Sequence, residues 1–255
     1  MLLAIDIGNT NIVVGVFDDS RLVADFRLHT DERATGDELG LVVTDLLRRH
    51  DIDPGQVGGV VVSSVVPLLN RSVDELSTHY FGVSPLLVGP GVRTGMRILI
   101  DDPRQLGADR IVNAIGAFHK HGGPAVLVDL GTATTFDAIS GAGEYLGGAI
   151  APGMLVSLDA LVARTAKLNR VEPVAPPSVI GRNTTASMQS GLVYGYVGLI
   201  EGLVSRMKGE LGGQATVVAT GGLAELIAAQ TEAIDVVDQR LTLDGLRIVA
   251  ELNGG

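Results

Sequence analysis

The chain has 255 residues, of which 46% are hydrophobic and 19% charged, enough apolar side chain for a sizeable core and too little charge for intrinsic disorder. Its formal net charge of −10 repels phosphate backbones and anionic bilayers, which argues against nucleic-acid and membrane partners, so an anionic ligand must be held by local groups. With no cysteine, disulfides, thiolate nucleophiles and Cys-ligated metals are excluded, and a reducing cytoplasm is the expected compartment.

The first apolar run ends at Asp6 and Gly8, too early for a signal peptide. β-Branched runs predict strands at Leu2–Ile7, Asn11–Phe17 and Arg21–His29, a meander whose first turn is Gly8-Asn9-Thr10. Leu39, Val42, Val43, Leu46 and Leu47 have helical spacing and predict a helix over Thr35–His50. Gly58–Val66 suits a strand buried on both faces, and Pro67 permits a helix start. Gly89–Pro103 reads as irregular. Ile111, Ala114, Ile115 and Phe118 then predict a helix within Gly107–His121. Its end, His119-Lys120-His121 before two glycines, offers a metal-binding His-x-His or simply cations facing the last carbonyls, and the second needs no metal.

The second half starts over. Strands are expected at Ala125–Leu130, Ala133–Ser140 and Glu144–Ile150, a long helix over Thr185–Gly209, and a strand-turn-helix at Ala215–Ala219, Thr220-Gly221-Gly222 and Leu223–Ala229. Asp6-Ile7-Gly8-Asn9-Thr10 and Asp129-Leu130-Gly131-Thr132-Ala133 each place an aspartate near a strand end with a glycine two residues on, about half a chain apart. Either alone could be a plain β-turn; together they suggest two similar domains. Such tips expose backbone N–H groups that cradle phosphate oxygens, and the adjacent carboxylate suits a hard cation, which makes Asp6 and Asp129 candidate anchors for a cation bridging nucleotide and protein. No Walker A loop, no G-x-G-x-x-G opening a helix and no G-x-S-x-G elbow occurs. Gly191, Gly195, Gly198 and Gly202 share one face of the long helix, where a second backbone, from another subunit or from this chain's own sheet, could approach.

The ordered set Asp6-Ile7-Gly8-Asn9-Thr10-Asn11 with Gly15, Gly107-Ala108-Asp109-Arg110, Asp129 to Thr135, Gly147 to Gly153, Asn183-Thr184-Thr185 and Thr220-Gly221-Gly222 resembles the bacterial type III pantothenate kinases of the actin, Hsp70 and sugar-kinase superfamily, over essentially the whole chain. The resemblance implies an α/β fold of two duplicated actin-like (ribonuclease H-like) ATPase domains, 1–116 and 117–255, with mixed sheets flanked by helices. It implies transfer of phosphate from ATP, with Mg²⁺ and a monovalent cation (K⁺ or NH₄⁺), to the primary hydroxyl of pantothenate in a cytoplasmic homodimer. Asp109 is then the general base, kept ionised by the helix dipole and Arg110, although in itself it could merely cap the helix. Gly107, Ala108, Asp109, Arg110 and Thr184 would contact pantothenate, Thr184 from the neighbouring subunit unless it is only a helix cap. Asp6, Ile7, Gly8, Asn9, Thr10, Asn11, Ile12, Val13, Thr132, Gly221 and Gly222 would contact ATP, its phosphates held between the two hairpins, with Asp6 near Mg²⁺ and Asp129 on the monovalent cation. Where the family pattern has an aromatic residue before a proline, this chain reads Ile98-Leu99-Ile100-Asp101-Asp102-Pro103. The alternatives are a non-catalytic nucleotide-binding regulator and a kinase of another small acceptor.

Overall fold

Three strands open the chain, β1 (Leu2–Ile7), β2 (Asn11–Asp18) and β3 (Arg21–His29). Helix α1 (Gly36–Arg49) begins at a capping box in which Thr35 and Glu38 satisfy each other's backbone N–H, and ends on Arg48 and Arg49, which complement its free carbonyls. β4 (Gly59–Ser64) stops before the end of the expected apolar run because the Val66 N–H donates to Ser64 Oγ at 3.2 Å and the chain turns. A short turn at Pro67–Leu69 leads into α2 (Asn70–Leu76), followed by the two-residue strands β5 (Leu86–Leu87) and β6 (Arg97–Ile98). Then come α3 (Ala108–His121), β7 (Ala125–Leu130), β8 (Ala133–Ile139), β9 (Glu144–Pro152) and α4 (Met154–Ala163). The remaining elements are α5 (Thr184–Glu210), β10 (Thr216–Thr220), α6 (Ala224–Ala228), β11 (Val236–Val237) and α7 (Leu241–Leu252). This computed structural model describes residues 1–254.

The strands form two sheets, ordered β3-β2-β1-β4-β5 and β11-β10-β7-β8-β9-β6. Read from β9 to β11, the second repeats the first: two antiparallel pairs from the meander, then two parallel pairs. The packing divides the described residues into one unit of Met1–Met96, Asp101–Gly116 and residues 241–254, and another of Arg97–Ile100 and Ala117–Arg240. Helix α7 belongs with the first unit because it packs on β1, β2 and β4. The stretch expected to be irregular also contributes β6, which pairs with Glu144 and Tyr145 of β9.

In the first unit, Leu3, Ile5 and Ile7 of β1 and Val60 and Val62 of β4 pack with Leu39, Val43 and Leu47 of α1 and Val73 and Leu76 of α2. Each such side chain contributes about 1.5–3 kcal/mol by leaving water. A one-residue slip of β4 would forfeit several of these, so the register is firmly set, and with it the face to which Asp6 and Ser63 belong. That other face is covered by α7: Gly15, opposite Ala4, admits Leu243, whose Cδ1 would stand 2.8 Å from a Cβ at Gly15. Helices α3 and α7 cross where a Cβ on Gly116 would strike the Leu241 carbonyl and one on Gly245 the Val112 carbonyl. The buried Asn113 accepts a hydrogen bond from Thr242 at 2.6 Å beside this crossing, which sets the rotation of α3 and hence the direction of its first turn.

In the second unit, Val126, Val128 and Leu130 of β7 and Val217 and Ala219 of β10 pack against Leu192, Val193, Val197 and Ile200 of α5. The alternating residue Asp129 faces away from that core.

Candidate active site

Parallel β1 and β4 end at the same sheet edge, and in such sheets ligands collect beyond the carboxyl ends of the strands. Asp6 lies one residue from the end of β1, directly opposite Ser63 of β4, and Ser63 Oγ donates a short hydrogen bond to Asp6 Oδ1. The turn beyond is fixed from both sides. Gly8 N–H donates to the Asn11 carbonyl at 3.0 Å, while Thr30 donates its hydroxyl to the Gly8 carbonyl at 2.7 Å and its N–H to the Thr10 carbonyl at 3.1 Å. Asn9 and Thr10 are left exposed at the tip. Of the residues expected to contact ATP, Ile7 and Ile12 put their side chains in the core, and Val13 pairs with Asp6 across the ladder. Burial pushes the Asp6 carboxyl up to about 6; the Ser63 hydrogen bond pulls the other way, and the negative charge of Asp109 adds to the rise.

Asp109 enters this cluster from the first turn of α3, which starts at Ala108 rather than near Ile111, so Asp109 lies inside the helix and is not its cap. Its Oδ1 accepts from the Arg110 N–H at 2.8 Å and folds over Gly107, where a Cβ would strike that oxygen. Gly107 is thus required for the carboxylate's position. Contrary to the expectation that dipole and cation would dominate, burial raises the Asp109 carboxyl, with the Arg110 N–H and guanidinium opposing. A carboxylate so placed is a stronger base than one in water.

In the second unit, Asp129 occupies the equivalent place on β7, opposite Thr220 of β10 and Thr135 of β8. Gly131 N–H donates to the Ala133 carbonyl at 3.1 Å, and Gly153 N–H donates to the Thr132 carbonyl at 3.1 Å, holding Thr132 at an exposed tip. Gly221, at φ +94°, lies against the acid: a Cβ there would stand 2.7 Å from Asp129 Oδ1 and from the Leu130 carbonyl oxygen. The Gly221 carbonyl accepts from Gln239 Nε2 at 3.2 Å, while Gly222 has open space where a side chain would start. The cationic end of α3 is engaged with Asp238, from Lys120 Nζ at 2.6 Å and His121 Nε2 at 3.3 Å. Burial alone would raise Asp238; Lys120 and the Arg240 N–H outweigh it and hold the carboxyl below its usual range.

Thr184 is the first residue of α5, and the cap is Asn183, whose Oδ1 accepts from the Ala186 N–H at 2.8 Å. Thr184 is exposed and lines a groove of about 830 Å³ with Leu161, Arg182, Met188 and Tyr196. No residue of the Asp129 turn lines that groove. A Cβ added at Gly191, Gly195 or Gly198 would meet nothing within 4 Å, and at Gly202 only Arg206 of the same helix at 3.6 Å. This chain's own sheet therefore does not cover the glycine face. Ile100 packs beside Gly147, 3.6 Å from where a Cβ would sit. Ser63, Thr30 and Gln239 were not anticipated; the serine pair ending an apolar strand was the one available hint.

Among the described residues no group of three or more His, Cys, Asp or Glu side chains is placed to hold a metal. A magnesium ion at Asp6 would take one or two carboxylates from the chain and complete its shell with phosphate and water, the usual arrangement for a nucleotide-bound magnesium, so the residues present fit such an ion. Nor is any helix among them long and apolar enough to cross a membrane.

Twin sheets of one topology, each with an acid beside a glycine turn at the same strand position, define the actin-like and sugar-kinase class of phosphotransferase fold. A polyphosphate/ATP-glucomannokinase from Arthrobacter sp. strain KM superposes with a TM-score of 0.52 at 20% identity, covering 99% of this chain and 98% of its own. A Campylobacter jejuni structure named as a Baf family transcriptional activator superposes with a TM-score of 0.63 at 19% identity, covering 98% of both chains. At these identities the likeness speaks for the fold alone. The family model described as type III pantothenate kinase matches residues 2–206. The type III pantothenate kinase of Myxococcus xanthus is 56% identical over 249 residues, 98% of this chain and 97% of that protein. The chain belongs to the type III pantothenate kinase family.

Proposed function

We propose that the chain phosphorylates pantothenate from ATP, the first step toward coenzyme A, with Asp109 as the base. The observation that carries the residue assignment is the meeting of Asp109 with the Asp6 turn inside one unit, on a helix whose rotation is fixed and over a glycine that makes room for the carboxylate. Asp109 accepts the proton of the primary hydroxyl as its oxygen bonds to the γ-phosphorus, and the bond from that phosphorus to the β–γ bridging oxygen breaks, leaving ADP. A Mg²⁺ ion bound with ATP would neutralise charge on the phosphates. In the first unit the Asp6 turn binds nucleotide through backbone N–H groups, and Asp6 would hold the divalent ion; in the second unit Thr132, Gly221 and Gly222 are the nucleotide contacts. The convergence of Asp129 Oδ1 and the Leu130 carbonyl beside Gly221 supports a monovalent cation there, since potassium takes oxygen ligands, backbone carbonyls included. Arg110 and Gly107 bind the acceptor.

We further assign a homodimer through α5. The open glycine face supports it, as do the exposed Val156, Leu161, Val179 and Ile180 of the same unit. In that dimer Thr184 reaches the partner's acceptor site. The setting is cytoplasmic, which a chain without cysteine suits.

The test is a coupled ADP assay with and without pantothenate, with potassium exchanged for sodium and a panel of other small alcohols as acceptors. ADP formation should require pantothenate and potassium. Equal turnover with another acceptor would redirect the assignment, and ATP binding without transfer to any acceptor would favour a nucleotide-binding regulator. Solution mass of Gly195→Leu tests the seam; an unchanged dimer would refute it.

A further inference from the structure

The reaction assigned above uses Asp6 but leaves unexplained why the strand beside it ends in a buried hydroxyl. Ser63 has no solvent exposure, in a strand whose other buried residues are Val60, Val61 and Val62. A hydroxyl placed there costs free energy unless it is hydrogen-bonded, and its bond goes to the acid. Ser63 and Asp6 are register partners on parallel strands, so their side chains leave the same face side by side, and Ser63 Oγ donates to Asp6 Oδ1. Among the described residues Asp6 Oδ2 accepts no hydrogen bond. The carboxylate is thereby held by one oxygen, with the other left available.

We propose that Ser63 is a positioning residue for the reaction: by occupying Asp6 Oδ1 from the neighbouring strand it fixes the carboxylate's orientation, so that Oδ2 is presented to the divalent cation that accompanies ATP. Groups that orient a metal-binding carboxylate in this way are typically worth about 10- to 100-fold in metal affinity or activity. The second sheet supplies a control on shape. Thr220 stands at the same register position opposite Asp129, so this strand architecture accommodates a threonine where a serine stands in the first sheet.

The inference rests on the reading of Asp6 as the cation-facing acid, and the test separates the two. ATP affinity is measured by calorimetry with and without Mg²⁺ for the wild type, Ser63→Ala, Ser63→Thr and Asp6→Asn, together with kcat, the KM for pantothenate and a thermal melt. Ser63→Ala should leave metal-free ATP affinity and pantothenate KM unchanged, while the gain in ATP affinity on adding Mg²⁺ and the kcat each fall about 10-fold or more. Ser63→Thr, which keeps the hydroxyl, should recover most of both. A wild-type Mg²⁺ gain in Ser63→Ala would overturn the proposal, as would an equal loss of ATP affinity with and without Mg²⁺, which marks a purely structural role. If Asp6→Asn loses the Mg²⁺ gain and Ser63→Ala does not, the positioning role alone falls. If Asp6→Asn keeps it, the reading of Asp6 falls first.

Discussion

The two sheets share a strand plan and differ at the acid. In the first, Asp6 is braced by the buried Ser63 hydroxyl and is crowded electrostatically by Asp109. In the second, Thr220 holds the matching register position with no hydrogen bond from its side chain among the described residues, and Gly221 leaves room beside the Asp129 carboxylate, where a Cβ would stand 2.7 Å from Oδ1. A repeated fold has thus kept the place of its acid while changing the residue opposite it. A hydroxyl donor orients a carboxylate and leaves one oxygen free; a backbone packed against a carboxylate brings a carbonyl oxygen beside it. On the proposed reading, the first acid serves a small, hard ion attached to phosphate and the second a larger ion with several oxygen neighbours.

The largest expected effect removes the group that only the first unit brings to its turn. Asp109→Asn should lower kcat by roughly 10²–10⁴-fold, the usual worth of a positioned proton acceptor, with ATP affinity retained. A variant that turns over like the wild type would mean the first unit's advantage lies elsewhere.

Next comes the cost of holding Asp6 charged. Its folded value of about 6 exceeds the ordinary 3.8, so the folded state favours the protonated carboxyl. That contribution to stability is fully present below pH 4 and is lost as pH rises through 6. Above pH 7 the ligand-free protein therefore carries a buried charge costing about 2–3 kcal/mol. Asp6→Asn, which removes the charge and keeps an oxygen for Ser63, should melt several degrees higher than wild type at pH 8 and lose that advantage by pH 4. An unchanged melting temperature at pH 8 would remove the electrostatic half of the comparison.

Smaller effects sharpen the second turn. Gly221→Ala puts a methyl against Asp129 Oδ1 and the Leu130 carbonyl at φ +94°. It should cost about 1–3 kcal/mol in stability and weaken ATP binding. Gly222→Ala, with open space at the same point, should stay within about 0.5 kcal/mol by denaturant unfolding.

Much of this was legible in the chain itself. β-Branched runs flanked by turn residues marked β1 to β3 and β7 to β9, and the repeated aspartate and glycine pattern marked both turns, because these signals are local. The division of the chain into its two units was not. Helix α7 has helical apolar spacing of its own, but its return to the first sheet is long-range packing that no local pattern records, and β6 is two residues within a Gly- and Pro-containing stretch, too short for a periodic trace. At the site, Asp109 was visible as chemistry, but its environment was misjudged: neighbouring charge could be read from Arg110, whereas burial, which dominates, depends on elements far along the chain. Ser63 escaped for the same reason, being 57 residues from Asp6 and joined to it only by strand register.

The division of labour between the two acids is tested most directly by the cation dependence of ADP formation in Asp6→Asn and Asp129→Asn, measured side by side with Mg²⁺ and K⁺ titrated separately. The Mg²⁺ requirement should shift in Asp6→Asn alone and the K⁺ requirement in Asp129→Asn alone. A K⁺ response altered by Asp6→Asn, or a Mg²⁺ response altered by Asp129→Asn, would contradict the account.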